Sequence, residues 1–202
     1  MKAVTYPQPG GPEVLQLVDV AEPSITQDEL LVAVEAISVE GGDIISRNSQ
    51  HLQAGESLGY AAAGTILDIG SNVTGFEIGQ KVATFNWRGA YAERRAVAAY
   101  NCFPVPEGLD ARIAAAIPVG PGTAAWAFHL GKLQPGQTVL ILGAAGGVGM
   151  AAVQLASRMG VRVIGTGTRL ESLEKLREFG LNDAIVVGDK QAGEQVRELL
   201  GQ

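Results

Sequence analysis

The chain has 202 residues, 47% of them hydrophobic, and carries 15 Lys and Arg against 21 Asp and Glu for a net charge of −6. That balance suits a globular protein with a buried core and excludes a disordered or fibrous chain. The cations are dispersed rather than gathered in a stripe, which argues against nucleic acid or an anionic membrane as a partner.

Over the first hundred residues, short apolar or alternating runs are punctuated by Gly, Pro, Asn and Asp. The segments 2–6, 14–20, 29–39, 63–70, 81–85 and 90–97 are predicted strands, in a small barrel or sandwich. Within this stretch, DIISRN after Asp43 is helix-like, with Asp43 as a capping residue. The single cysteine, Cys102, lies among apolar neighbours in NCFPVP and reads as a packing thiol. It leaves no partner for a disulfide within the chain. With no secretion signal in MKAVTYPQPGGPEV and no apolar run of roughly twenty residues, the expected setting is cytoplasmic and reducing.

After about Ala111 the texture changes to helical segments interrupted at Pro118 through Gly122, which divides the chain into domains 1–118 and 119–202. From Thr138 onward, strands and helices alternate, the pattern of a parallel sheet with right-handed crossovers. The strands are 138–142, 161–166 and 183–187. The first is apolar throughout, as when both sheet faces are covered. The first helix ends at Gly160 and the second at Gly180, with Thr168 and Glu171 as a capping box. The third runs over 192–202.

Between the first strand and helix lies GAAGGVG, with Gly143, Gly146 and Gly149 spaced by three. Gly143 permits a tight turn, Gly146 removes a side chain where backbone approaches a pyrophosphate, and Gly149 lets the helix pack closely on the sheet. The helix start offers N–H groups and positive partial charge to phosphates. This turn, Gly143, Ala144, Ala145, Gly146, Gly147, Val148 and Gly149, is the expected cofactor cradle. At the end of the second strand no carboxylate appears before Glu171. Thr166, Thr168 and Arg169 stand where an acid would select NADH, so the expected cofactor is NADPH. The bland alternative makes Thr168 only a helix cap and Arg169 a solvated charge.

The segments 2–17, 58–82, 89–97 and 117–156, ending in IPVGPGTAAWAF and PGQTVLILGAAGGVGMAAVQLA, resemble the zinc-independent quinone oxidoreductases of the medium-chain dehydrogenase/reductase superfamily. The resemblance covers essentially the whole chain. It implies an α/β protein with a β-rich, chaperonin-10-like (GroES-like) first domain, followed by part of a Rossmann parallel sheet. The implied reaction is hydride transfer from NADPH to a quinone or enone. Gly59-Tyr60-Ala61 stands where zinc-dependent relatives carry Gly-His-Glu, and Ser38-Val39-Glu40 where they carry a catalytic Cys. With His51 and His129 far apart, no metal site is expected.

The family's Asn-x-x-Asp element corresponds to Glu40-Gly41-Gly42-Asp43, which makes Glu40 and Asp43 the candidate catalytic pair. Glu40 replaces a donor and acceptor by an acceptor alone. Thr123 matches a Thr near the nicotinamide, with helix capping as the alternative role. Trp87 and Tyr91 are candidates to flank the substrate, and Tyr91 also reads as core. Ser172 stands where relatives often carry a phosphate-binding Lys. The resemblance further implies a second βαβαβ half that this chain does not supply. That leaves open a truncated product, a completing chain or homo-oligomer, and a non-catalytic NADPH-binding module. An enoyl reductase related to polyketide synthesis is a further reading.

Overall fold

The computed structural model describes residues 1–53, 56–188, 192–199 and 201. The chain divides into two compact units, Met1–Val119 and Gly120–Gln202.

In the first unit, β1 (Lys2–Thr5) pairs antiparallel with β2 (Gln16–Asp19). A second, five-stranded sheet holds β3 (Glu29–Ser38), β4 (Ala61–Ile69), β5 (Lys81–Phe85), β6 (Arg94–Ala98) and β7 (Cys102–Pro104) in the order β6-β3-β4-β5-β7. All of its pairings are antiparallel. Alternation along β3 puts Leu30 and Val32 wholly inside, where they meet Ile66, Val82, Val97 and Cys102. Burying each large aliphatic side chain contributes about 1.5–3 kcal/mol. Gly64 is required where β4 crosses β3, because a Cβ there would run into the Ala33 backbone.

Two helices complete this unit, α1 (Gly41–Ser49) and α2 (Ala111–Ala116). Asp110 starts α2 by accepting the Arg112 backbone N–H at 2.8 Å. Ala114 and Ala115 then pack on Ala63 and Ala83, where small residues let helix and sheet approach.

Three sequence expectations change here. The strand read over 14–20 is shorter, because Pro12 opens a 3-10 turn over Pro12–Val14. The strand read over 90–97 begins only at Arg94, since residues 90 and 91 are tied to the 58–59 segment by Ala90 N–H to Gly59 O and Tyr91 N–H to Leu58 O. NCFPVP also contains a strand, β7, on the sheet edge where Pro104 leaves no ladder position unpaired.

In the second unit, α3 (Gly120–Leu130) begins inside the expected helix break of Pro118 through Gly122. Pro121 sits in its first turn, where a missing N–H costs nothing. The parallel sheet runs β10-β9-β8, from β8 (Thr138–Ile141), β9 (Arg162–Gly167) and β10 (Asp183–Val186). Between the strands come α4 (Gly147–Arg158) and α5 (Leu170–Glu174), and α6 (Ala192–Leu199) follows. The last residues of the third predicted helix, 200 and 202, lie outside the described residues.

One core joins Ala124, Ile141, Val153, Val163, Leu173 and Leu176. Gly160 (φ +72) and Gly180 (φ +105) take the left-handed conformation that closes each helical segment, as the sequence predicts. β8 differs from expectation. Its Ile141 face is buried, but Leu140 on the other face is 42% exposed, so among the described residues only one side of this strand is covered. No helix among the described residues is long and apolar enough to cross a membrane.

Candidate functional site

The turn after β8 is built by its own backbone. Gly143 has φ +65, which other residues rarely adopt, and the Gly146 N–H donates to the Gly143 carbonyl at 2.9 Å. The end of β9 pins the turn from below. Thr166 Oγ1 accepts the Gly143 N–H at 3.2 Å, and the Thr166 carbonyl accepts the Ala144 N–H at 2.8 Å. Ala144 is wholly buried against β9, where Gly165 leaves room for its methyl group.

The expected role of Gly149 needs refining. A Cβ at this position would stand 2.7 Å from the Ala144 Cα and 2.7 Å from its carbonyl oxygen, so the helix packs on the turn itself. Gly146 is the N-cap and offers no side chain, while a Cβ at Gly147 would meet nothing within 4 Å. The N–H groups of Gly147, Val148 and Gly149 have no acceptor earlier in the helix and are the free donors of its first turn.

Beside this turn opens a cavity of about 360 Å³ lined by Gly143, Ala145, Gly146, Thr166, Gly167, Thr168, Arg169, Ser172 and Val187. The fold therefore brings seven of the sequence-chosen residues to one place. Arg169 is exposed and makes no ion pair among the described residues. Thr166 is only 3% exposed and its hydroxyl is engaged by Gly143, so its first duty is to hold the turn.

The expected Thr168–Glu171 capping box does not form. β9 continues to Gly167, which moves the helix start to Leu170 and leaves Arg169 at the N-cap with no side-chain cap. Ala144 and Gly149 are buried and shape the turn from behind. Thr123 is exposed in the first turn of α3, outside this cavity, and lies inside the helix rather than at its cap.

The other candidates lie in the first unit. Asp43 is 1% exposed, and its Oδ2 accepts the Glu40 backbone N–H at 2.9 Å and the Tyr91 hydroxyl at 3.0 Å. It caps α1 and faces no solvent, so it cannot meet a substrate directly in this arrangement. Burial raises its carboxyl above the ordinary range, and burial together with the Asp43 charge pushes the Tyr91 phenol well up. Glu40, at the N-cap of α1, is half-buried and accepts from Ser38 Oγ. Tyr60 hydrogen-bonds Ser46 at 3.1 Å and meets Trp87 edge-on, with ring centroids 5.5 Å apart. Trp87 is 68% exposed.

Residues 26–107 match the alcohol dehydrogenase GroES-like domain, and residues 111–200 match the C-terminal domain of alanine dehydrogenase/PNT. A quinone oxidoreductase of Rattus norvegicus is 33% identical over 192 residues, covering 92% of this chain and 58% of the rat protein. The quinone oxidoreductase of Escherichia coli, solved in complex with NADPH, superimposes with a TM-score of 0.90 at 26% identity, over 100% of this chain and 63% of that one. The chain is similar in sequence and in fold to quinone oxidoreductases. It spans about 60% of the length of these relatives. A highly reducing polyketide synthase of Cryptosporiopsis is also similar, 35% identical over 193 residues that make up 91% of this chain and 8% of the synthase.

Among the described residues, no three of His, Cys, Asp and Glu come together in a way that could hold a metal. His129 stacks on Trp126 and His51 is exposed. Cys102 is 5% exposed, its Sγ lies 3.5 Å from the Ala98 carbonyl, and burial pushes the thiol up to about 12. Its reaction with a disulfide reagent at neutral pH is expected to be slow in the folded protein and fast after denaturation. Equal rates in both states would show the thiol to be accessible.

Sequence reasoning missed Arg95. The signal was present, since the alternation that buries Val97 in β6 puts Arg95 on the same inward face.

Proposed function

We propose that this chain binds NADPH at the α4 turn and belongs to an enzyme that reduces a quinone or other conjugated carbonyl without zinc. The observation that carries the reading is the cavity beside Gly143–Gly146, lined by Gly146 at the N-cap of α4 and by Arg169, which makes no ion pair among the described residues. On this reading the N–H groups of Gly147, Val148 and Gly149 take the pyrophosphate. Arg169, with the hydroxyls of Thr168 and Ser172, takes the 2′-phosphate. When bound, the nicotinamide supplies a hydride to an electrophilic carbon, and the reduced acceptor gains its proton from solvent. Glu40 is the substrate-facing acceptor, and Asp43 is a positioning residue that fixes the start of α1. The donor set of the chain, with one buried thiol and two separated imidazoles, supports a reaction without a metal.

The test is calorimetric binding of NADPH and NADH to the wild type and to Arg169→Ala. The expected result is tighter binding of NADPH, with the preference reduced roughly tenfold by the substitution, as for loss of one exposed charge-assisted contact. Equal affinity of the wild type for both cofactors would overturn the assignment. The similarity to a polyketide synthase favours a second reading, reduction of an enoyl thioester. Turnover of benzoquinone against that of a crotonyl thioester, with NADPH as donor, separates the two.

A further inference from the structure

Arg95 is an arginine almost wholly inside a small β unit, 2% exposed, with no carboxylate in ion-pair reach among the described residues. A buried charge is costly unless polar groups surround it. Here the partners are oxygens drawn from three segments. Nη1 donates to Thr84 Oγ1 at 2.9 Å, and Nη2 to the carbonyls of Tyr60 at 3.0 Å, Arg88 at 2.9 Å and Asn86 at 3.4 Å. Burial lowers its pKa to about 10, still protonated at neutral pH.

The choice of carbonyls is the informative feature. Asn86 and Arg88 are the residues on either side of Trp87, and Tyr60 carries the ring against which Trp87 packs. The same turn is seated by backbone bonds from Asn86 N–H to Tyr60 O and from Gly89 N–H to Ser57 O. Among the described residues, Arg95 is the only side chain that reaches the carbonyls of both Asn86 and Arg88. Trp87 itself is mostly in solvent, touching Tyr60 and Phe85 edge-on at 5.5 and 5.3 Å. A tryptophan so exposed gains little from the core, and two edge-on ring contacts by themselves hold it only weakly.

The geometry points to Arg95 as a positioning residue that clamps the backbone on both sides of Trp87 and so holds the Tyr60–Trp87 pair as a fixed aromatic wall for a planar acceptor. The clamp stands on the hydrogen bonds alone. The use of the wall rests on the quinone reading above.

The experiment uses the full 202-residue chain in a Trp126→Phe background, which leaves Trp87 as the single tryptophan. Quenching by acrylamide and fluorescence anisotropy are compared for Arg95, Arg95→Lys and Arg95→Met, with denaturant unfolding to establish that each is folded. Lysine keeps the charge but lacks the planar fork that spans several carbonyls. The expected result is a roughly twofold rise in quenching and a fall in anisotropy for Arg95→Met, as nanosecond loop motion is released, with Arg95→Lys in between. Unchanged Trp87 signals in the folded variants overturn the clamp. If Arg95→Met does not fold, Arg95→Lys decides by the same criterion.

In benzoquinone turnover, KM should rise roughly tenfold for Arg95→Lys with kcat altered less. The same substitution should add nothing in a Trp87→Leu background. An equal KM rise in that background shows that Arg95 acts elsewhere and overturns the proposal. Absence of quinone turnover in the wild type defeats the quinone reading while leaving the fluorescence test of the clamp intact.

Discussion

Replacing Gly149 by valine is expected to weaken dinucleotide binding severely and to destabilise the second unit. The new Cβ would stand 2.7 Å from both the Cα and the carbonyl oxygen of Ala144, and neither is the end of a flexible side chain. Relief requires that α4 move away from the turn or that the turn open. Ala144 is held from below by the Thr166 carbonyl, so the turn cannot yield alone. The cost is about 2–3 kcal/mol by analogy with overpacked cores. Affinity for NADPH should fall by roughly two orders of magnitude, because the donors that face the phosphates move with the helix.

Gly147→Ala is the matched control. Its Cβ meets nothing within 4 Å, and alanine favours a helix over glycine by about 1 kcal/mol. Thermal unfolding and calorimetric titration of the two variants check the pattern. Equal effects would show that proximity to Ala144 is irrelevant.

Asp43→Ala is the second large effect. The wild-type carboxylate accepts the Glu40 N–H and the Tyr91 hydroxyl inside a 1%-exposed site. Alanine leaves both donors without their acceptor and removes the cap of α1, a loss of about 2–4 kcal/mol. The pH dependence has a definite sign. Burial raises the Asp43 carboxyl, so the folded state binds this proton more tightly than the unfolded chain does. The resulting stabilisation is fully present below the ordinary aspartate value near ~4 and is lost as pH rises through the raised value. The stability difference between wild type and Asp43→Ala should therefore be largest at acid pH and shrink across that window. Denaturant unfolding over a pH series measures it. A difference that grows with rising pH would show that the charged carboxylate is the favoured form.

The sequence was most legible where one residue type has one physical use. Gly143 at φ +65, Gly160 at φ +72 and Gly180 at φ +105 sit where the glycine pattern placed turns and helix ends. The parallel sheet, the order of strands and helices, and the gathering of Gly146, Thr168 and Arg169 followed from the pattern of the residues, while Ser172 came from the resemblance to quinone oxidoreductases. Local patterns were less decisive where a neighbour competes for the same group. Thr168 looked like a helix cap, but β9 kept its pairing to Gly167 and displaced the helix start. Thr166 looked like a phosphate contact, but its hydroxyl had a closer claimant in the Gly143 N–H. The strand before Arg94 was cut short because residues 90 and 91 bond to the 58–59 loop instead of a ladder.

What the sequence determined by itself is therefore the dinucleotide turn, because backbone conformation and free helix N–H groups depend on a few consecutive residues. The tertiary structure alone decided what the polar side chains do. Asp43, legible in the sequence as a cap, became the buried acceptor of the Tyr91 hydroxyl, Thr166 a tie beneath the turn, and Arg95 a clamp around Trp87. Each of those roles depends on oxygens and N–H groups that lie 7–48 residues away in the chain and meet in the folded unit. Desolvation then fixes which partner each group keeps.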